Sequence, residues 1–321
     1  MTFYIARRLA WTVVVVFSVL LITFMVFYIF PDGDPALRFA GKQPTTQLLI
    51  EIRHRLGLDR PFYIQFLKYV KNFFVGDQYG WPGLGYSYAG NTSVHGQIVQ
   101  RAPRTLQLVA GASILWLLSG VTIGVISAVR RRTVTDRVAM GFALFGISTP
   151  VFWLGLMSLY IFWFKLHWTA GTGYVPLSAG FGSWFSHLIL PWTVLALLYA
   201  AFYARMTRNN LLETLGEDYI RTARAKGLSE RRVILKHGLR SSLTAIVTMF
   251  GMDVALLVGG AVVTESVFNF QGLGWLAYNS AFNQDLPMLL GVITVTATAV
   301  AVMNLVVDIL YAFIDPRVRY A

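Results

Sequence analysis

The chain has 321 residues, of which 56% are hydrophobic and only 13% charged, with a mean hydropathy of +0.58. A soluble domain of this size cannot bury so much apolar surface, and the composition is typical of a protein in a lipid bilayer. The formal net charge of +12 would suit nucleic acid, but the basic residues lie beside apolar segments, where they orient a membrane protein. We therefore expect membrane lipid and no nucleic acid as a partner. The absence of cysteine excludes disulfides, thiolate metal sites and a cysteine nucleophile.

The first apolar segment is long enough to span a bilayer. It covers Leu9–Phe30, follows Arg7 and Arg8, and lacks an Ala-x-Ala pattern at its end. A secretory signal has the same basic start, but its apolar core is shorter and ends in a small-residue cleavage site. We therefore predict a retained transmembrane helix within residues 1–30.

Residues 31–104 form the longest polar segment, and the pattern predicts short helices within it. Apolar residues over Leu48–Leu56 recur at helical spacing before Gly57, which is suited to end a helix. A second amphipathic helix should begin at Pro61, and a third over Ser93–Arg101 could lead into the next span. Two interpretations stay open: a small folded loop at the membrane surface, or an element outside the membrane that docks a partner or guides substrate.

Five more apolar segments follow, so we predict six transmembrane helices and an all-α polytopic membrane protein. The fourth span is short and contains Pro191, so its start can shift by several residues. Six spans place both termini on the same side. The five segments are Thr105–Val129, Val138–Phe164, Leu188–Tyr203, Leu243–Val263 and Met288–Ile314.

Lys and Arg residues are distributed unevenly between the two sides. Seventeen of the 27 lie on the side of the N-terminus, whereas the long first loop holds nine and the next outer connection only Lys165. Long loops are translocated with little regard to charge, so the short segments decide, and they place both termini in the cytoplasm. The predicted organisation is an N-terminal transmembrane helix (1–30), an extracytoplasmic loop subdomain (31–104), a transmembrane domain (105–314) with a cytoplasmic loop (204–240), and a cytoplasmic tail (315–321).

A polar loop, Glu213–Arg240, lies between the fourth and fifth spans. Glu217–Lys226 can form a short helix whose charge order suits the helix dipole, and Gly227 is a natural C-terminal stop. Ser229 can then cap a second helix that continues toward the fifth span. The polar loop is thus predicted to be a helix, a sharp turn and a helix.

The first helix of the polar loop has features of a docking element. Ala223 and Ala225 leave little side-chain bulk, so the helix backbone could lie deep in a partner's groove. Tyr219 and Ile220 are the predicted apolar anchors. The pattern leaves open an alternative, an interfacial helix on anionic lipid headgroups. The predicted basic rim consists of Arg221, Arg224 and Lys226.

This stretch resembles the cytoplasmic loop signature of permease subunits of binding-protein-dependent ABC importers, in the dipeptide/oligopeptide (also nickel) branch. The matching residues are Tyr219-Ile220-Arg221-Thr222-Ala223-Arg224-Ala225-Lys226-Gly227-Leu228. Further similarity to the B-type subunit occurs in family order at Leu56-Gly57-Leu58-Asp59-Arg60-Pro61, Ser148-Thr149-Pro150, Glu265-Ser266-Val267-Phe268, Gly272-Leu273-Gly274, Asp308 and Asp315-Pro316-Arg317-Val318-Arg319. Thr222 stands where the broader importer signature has Glu, as is usual in the peptide branch, which argues against sugar and phosphate importers.

The resemblance implies a type I ABC importer (MetI-like) permease fold with a small helical extracellular insertion after the first span. It implies a bacterial cytoplasmic (inner) membrane location and three kinds of partner: a second homologous permease subunit, two cytoplasmic ATPase subunits and an extracytoplasmic substrate-binding protein. The helix near 216–228 would fit a groove on one ATPase. The implied ATPase-coupling residues are Tyr219, Ile220, Arg221, Thr222, Ala223, Arg224, Ala225, Lys226, Gly227 and Leu228.

The expected function is that of the pore subunit of a peptide importer, with a nickel-chelate, haem or other solute importer of the same branch as the alternative. The chain has no Gly-x-x-x-x-Gly-Lys-[Ser/Thr] loop, so we expect ATP and Mg on the partner ATPases and no catalytic residue, cofactor or metal on this chain. An ATP-independent secondary transporter would usually show internal repeats or several intramembrane charges. A membrane-embedded enzyme would need a catalytic constellation, and none is found within the spans.

Two carboxylates are candidates for the translocation pathway. Asp253 falls near the middle of the fifth span, where an ionisable group is costly unless it lines water or finds a partner. It would meet a positive group of a peptide, or alternatively be a structural partner to another span or a protonated, hydrogen-bonded carboxyl. Glu265 precedes the glycine-rich stretch Phe268–Trp275, where a folded-back segment is expected at the outer mouth. Whether that segment gates the pathway or fills a packing gap stays open.

Overall fold

The computed structural model describes residues 2–29, 34–40 and 45–314, and the predicted all-α architecture is confirmed for them. A short antiparallel ribbon pairs β1 (Tyr86–Ser87) with β2 (Thr92–Ser93). The predicted tail, 315–321, and the end of the first predicted span lie outside the described residues. The helices are α1 (Thr2–Phe24), α2 (Pro35–Phe39), α3 (Thr46–Leu56), α4 (Phe62–Val75), α5 (Val94–Val129), α6 (Val134–Ser148), α7 (Val151–Ser158), α8 (Phe181–Thr214), α9 (Asp218–Ala225), α10 (Glu230–Arg232), α11 (Arg240–Val258), α12 (Val262–Val267), α13 (Leu273–Phe282) and α14 (Leu286–Ile314).

The described helices provide up to six membrane spans, the number predicted. Four are long and apolar enough by themselves: α1 with its π-helical continuation Met25–Ile29, then α5, α8 and α14. Two more arise if each of two bent pairs is one span, α6 with α7 at 104° and Glu230–Leu243 with Ala245–Val258 at 47°. The first bend follows from Pro150, since proline disfavours helical geometry at the preceding residue, and Thr149 is extended with ψ of 129°.

Several predicted boundaries differ from the structure. The second span and the short helix before it form one continuous helix from Val94, and α8 extends beyond the predicted fourth span at both ends. These helices are longer than the apolar segments because helical hydrogen bonding continues through the polar residues that flank such a segment. The predicted fifth span is wrong at its end, because α11 stops at Val258 and Gly260 takes a φ of +113°. That conformation favours glycine and interrupts the right-handed helix. The residues that follow therefore form the separate helix α12.

The chain divides into two compact units. In the first, α1 packs against α4 and α14 through Val16, Phe73 and Ala301. The start of α5 packs against α13 and α14, with Val94 and Leu273 in that cluster. The ranges are Met1–Leu106, Ala255–Ser266 and Phe270–Leu305 for the first unit, and Gln107–Val254, Val267–Asn269 and Val306–Ala321 for the second.

The long polar segment of the first unit is folded, as the sequence pattern predicts. Helix α3 ends at Gly57, which has a φ of +71° and donates its N–H to the Arg53 carbonyl at 2.9 Å. Helix α4 begins directly after Pro61. Ile52 is fully buried and packs against α2. The predicted helices over Leu48–Leu56 and from Pro61 are therefore confirmed.

Helix α8 is the packing centre of the second unit. Helices α6 and α7 lie along it, and α5 approaches it closely at glycines. A Cβ added at Gly124 would lie only 2.6 Å from the Ala204 carbonyl oxygen. This close packing positions the polar loop, because α8 leads directly into it.

Candidate functional site

The polar loop folds as the predicted helix, turn and helix. Helix α9 ends before Gly227, which has a φ of +76° and donates its N–H to the Arg224 carbonyl at 2.9 Å. The second helix begins after Ser229 and continues through a π-helical stretch, Val233–Leu239, into α11. The predicted glycine stop is confirmed, and a left-handed conformation there explains the residue type.

The inner face of α9 is sealed by the polar loop itself. Ile220 is fully buried and Ala223 nearly so, and both pack against Val233 with Leu215 and Leu228 around them. Residues three apart lie on the same helix face, and here that face meets the following helix. The prediction that Ile220 anchors a partner is therefore wrong, since none of its side chain is exposed. Ala223 is small because it packs inside the chain.

The outer face of α9 carries the small and polar side chains. Ala225 lies opposite the buried pair and is exposed, as are Thr222 and Tyr219, the last being 46% exposed. Arg224 belongs only partly to the predicted rim, because its guanidinium forms two hydrogen bonds to Glu230, at 2.6 and 3.1 Å. That ion pair ties α9 to the second helix of the polar loop.

A shallow concavity of about 440 Å³ lies beside α9. It is lined by Tyr219, Lys236, His237, Arg240 and Ser241. No carboxylate is among these residues, so the concavity suits an acidic group of a partner. Sequence reasoning missed the association of these residues with Tyr219.

Asp253 has a partner in another span. The Tyr203 hydroxyl of α8 donates to Asp253 Oδ2 at 2.7 Å, and Tyr203 is fully buried beside Trp116. Trp116 in turn stacks on Tyr199 with ring centroids 4.6 Å apart. Asp253 Oδ1 accepts no hydrogen bond from any described residue, and the carboxyl is only half-buried. The structural partnership is present, and the pathway role stays a prediction.

Glu265 is fully buried and holds the start of α13. Its carboxylate accepts hydrogen bonds from the Thr105 hydroxyl and the Trp275 N–H, both at 2.7 Å. Thr105 Oγ1 accepts from the Leu273 N–H at 2.8 Å. These two side chains satisfy helix N–H groups that lack an intrahelical acceptor. A Cβ at Gly272 would lie 2.3 Å from Thr105 Oγ1, which explains the glycine. The pathway role of Glu265 stays a prediction.

Replacing Glu265 with alanine should destabilise the protein by about 3 kcal/mol, because buried N–H and hydroxyl donors lose their acceptor. Glu265→Gln should cost less, since the amide oxygen can still accept a hydrogen bond. Thermal unfolding of the purified protein in detergent measures the difference. Glu213→Ala, at an exposed position, is the control. An unfolding midpoint for Glu265→Ala equal to that of the parent would contradict this structural role.

Sequence reasoning missed an ion pair at the end of α8. Arg208 donates to both carboxylate oxygens of Asp136, from Nε at 2.8 Å and from Nη2 at 3.0 Å. The Ser127 hydroxyl and the Arg132 N–H also donate to Asp136, which is only 5% exposed. The sequence signal was limited to an acidic residue in the first turn of α6 after Thr133, and the pairing with α8 spans more than seventy residues of chain.

Comparison with protein families decides which class these features belong to. Residues 120–320 match the family described as "Binding-protein-dependent transport system inner membrane component". The chain belongs to this family. Residues 1–109 match the corresponding N-terminal family of membrane components. The protein is therefore a multi-pass permease of the bacterial inner membrane, and the resemblance inferred from its motifs is confirmed.

Curated relatives of this permease match it from end to end. The glutathione transport system permease protein GsiC of Escherichia coli O6:H1 is 39% identical over 317 residues, 99% of each chain. A putative peptide transport system permease protein of Brucella abortus (strain 2308) is 37% identical over 320 residues, 100% of each chain.

A solved structure shares the permease fold. A chain of the MetNI methionine ABC transporter, determined in an inward-facing conformation, aligns with a TM-score of 0.57 at 19% identity. The alignment covers 69% of this chain and 97% of that chain. The predicted type I importer fold is confirmed.

Proposed function

We propose that this permease is a pore-forming subunit of an ATP-driven peptide importer and passes substrate from an external binding protein across the inner membrane. The family membership supports import with a binding protein. Full-length relatives whose names specify glutathione and peptide transport support a peptide cargo. The observation that carries the coupling is α9, which is sealed on its inner face and presents small side chains on its outer face.

The proposed assembly has a second homologous permease subunit, two cytoplasmic ATPase subunits that bind ATP and Mg, and an extracytoplasmic binding protein. Both termini and the polar loop lie in the cytoplasm, and residues 31–104 lie outside. The distribution of Lys and Arg among the short connections supports this orientation. The basic concavity beside α9 supports an acidic groove on the ATPase.

Within this assembly, α9 transmits ATPase motion to the spans. Ile220 and Val233 are packed in one cluster, and the pair Arg224–Glu230 crosses the turn, so the two helices of the polar loop move together. The second helix leads through the π-helical stretch Val233–Leu239 into α11, the helix of the fifth span, which bends by 47° between Leu243 and Ala245. A displacement of α9 by the ATPase is therefore passed to the fifth span.

Uptake by the reconstituted complex tests this function. Proteoliposomes that contain both permeases and both ATPases, with ATP enclosed and binding protein outside, should accumulate a radiolabelled tripeptide such as glutathione. Uptake should stop when the ATP is replaced by a non-hydrolysable analogue. Uptake that continues without the ATPases would contradict the proposal and favour a secondary transporter, and uptake confined to a nickel chelate or haem would contradict the peptide cargo.

Asp253 is proposed to meet a cationic group of the peptide in the pathway, because its Oδ1 is free of described donors and aromatic rings surround its partner Tyr203. Asp253→Asn should reduce uptake of a peptide with a free amino terminus about tenfold and spare its N-acetylated form. Tyr203→Phe, which removes the hydrogen bond and keeps the carboxylate, is the control. Equal uptake of both peptide forms by Asp253→Asn and the parent would exclude the substrate role.

A further inference from the structure

The first unit contains a cavity of about 360 Å³ between the helices of the long polar segment and the start of α14. Its volume lies in the range of small-molecule sites. We name it the tyrosine cavity, after the five tyrosines that share its wall: Tyr28, Tyr69, Tyr79, Tyr86 and Tyr88.

The tyrosine rings are held in place by their own contacts. The ring centroids of Tyr79 and Tyr86 lie 5.2 Å apart, and those of Tyr86 and Tyr88 lie 5.4 Å apart. The Tyr86 hydroxyl donates to Asn91 Oδ1 at 2.6 Å, and the Tyr69 hydroxyl lies 2.8 Å from Thr294 Oγ1. Such a wall is pre-organised, so a ligand does not have to order it on binding.

Two hydroxyls of this wall, those of Tyr69 and Tyr88, are held in their neutral form by burial. Burial raises the pKa of Tyr69 and of Tyr88 above the ordinary value. The wall therefore offers aromatic faces, a surface suited to an apolar or aromatic side chain.

The charges of the cavity leave one cation without a counter-ion. Both oxygens of Asp77 are taken by backbone N–H groups at 2.8 Å. Arg55 pairs with Glu51 at 2.8 Å and donates to the Tyr79 hydroxyl. Lys68 donates to a backbone carbonyl at 2.5 Å, and no described carboxylate pairs with it. An ammonium has three donors, so two remain for an anionic ligand.

We propose that the tyrosine cavity binds a peptide through its carboxyl-terminal residue, with the α-carboxylate at Lys68 and the side chain among the tyrosine rings. This inference rests on the proposed function, which makes peptides the cargo and places this segment outside the membrane. The cavity accommodates one or two residues, so it receives the end of a peptide rather than its whole length. It is a second peptide site on the permease, separate in sequence from Asp253.

Photolabelling tests the tyrosine cavity. The tripeptide Ala-Ala-p-benzoylphenylalanine and its carboxyl-terminal amide are irradiated with the purified permease and ATPase complex in phosphatidylcholine nanodiscs, without binding protein. Mass spectrometry should place the label of the free acid on residues that line the cavity, such as those within 79–88 or Tyr28 and Tyr69. The amide should label about tenfold less, because a charge-assisted hydrogen bond is lost.

Variants of α4 provide matched controls. Lys68→Gln should reduce labelling about tenfold, and Lys68→Arg should retain most of it. Lys71→Gln changes an exposed lysine of the same helix that does not line the cavity, and should leave labelling unchanged. Equal labelling by acid and amide, equal labelling of Lys68→Gln and parent, or a label confined to residues that do not line the cavity would each overturn the proposal.

Uptake by the same complex in proteoliposomes, with binding protein and ATP, separates this inference from the proposed function. Uptake of Ala-Ala-Phe without labelling of the cavity overturns the site and leaves the proposed function standing. Labelling that requires the peptide's α-carboxylate supports the site even if no peptide is taken up. In that case the absence of uptake contradicts peptide import and leaves the site standing.

Discussion

Replacing Ala225 with tryptophan should reduce ATP-driven uptake at least about tenfold while the protein stays folded in the membrane. Ala225 is exposed and lies opposite the buried pair of Ile220 and Ala223. A bulky side chain there does not disturb the packing of the polar loop, but it prevents α9 from approaching an ATPase groove closely. A loss of even 1.4 kcal/mol of docking free energy lowers the affinity about tenfold.

The measurement is uptake in proteoliposomes together with substrate-stimulated ATP hydrolysis and co-purification of the ATPases. Ala225→Ser should behave like the parent because serine adds one atom. Arg131→Trp places the same bulk on an exposed residue of another connection and should have little effect. Normal uptake and ATPase binding by Ala225→Trp would contradict docking through this face. Ala223→Trp is less informative, because it would clash within the chain.

Replacing Asp136 with asparagine should destabilise the permease by about 2 kcal/mol, because Arg208 then lacks its carboxylate in a largely buried place. Arg208 keeps 21% of its side-chain surface exposed, so water offsets part of the loss. Thermal unfolding of the purified protein measures the change. The double variant Asp136→Asn/Arg208→Gln should lose less than the sum of the single variants, since the two side chains act as a pair.

An exposed ion pair of the same kind is the control. Asp218 and Arg221 lie 3.3 Å apart with side chains 96% and 74% exposed. Asp218→Asn should leave the unfolding midpoint unchanged, because exposed pairs contribute little. Additive losses in the Asp136 and Arg208 double variant would show that the contact seen in the structure does not stabilise the fold.

Local signals in the sequence were sufficient for much of this molecule. Apolar runs identified the helices that provide up to six spans, since hydrocarbon admits few polar side chains over a bilayer's length. Gly57 and Gly227 marked helix ends, because the left-handed backbone conformation at these positions favours glycine. The sequence motifs were sufficient to identify the family, which the match over residues 120–320 confirms. Each of these inferences depends on residues that are close together along the chain.

The tertiary structure decided the features that depend on distant residues. Ile220 and Ala225 are equally compatible with a docking face by spacing, and only the packing of Val233 shows which face of α9 is covered. Likewise, only the structure shows that the Glu265 carboxylate accepts hydrogen bonds from Thr105 and Trp275.

By itself the sequence determined a six-span permease of a binding-protein-dependent importer and the position of its polar loop. It could not determine which polar groups are paired inside the protein, such as Asp136 with Arg208. A buried polar group is stabilised by whichever partner the fold brings within about 3 Å. That distance is set by how the helices pack, and no local pattern encodes it.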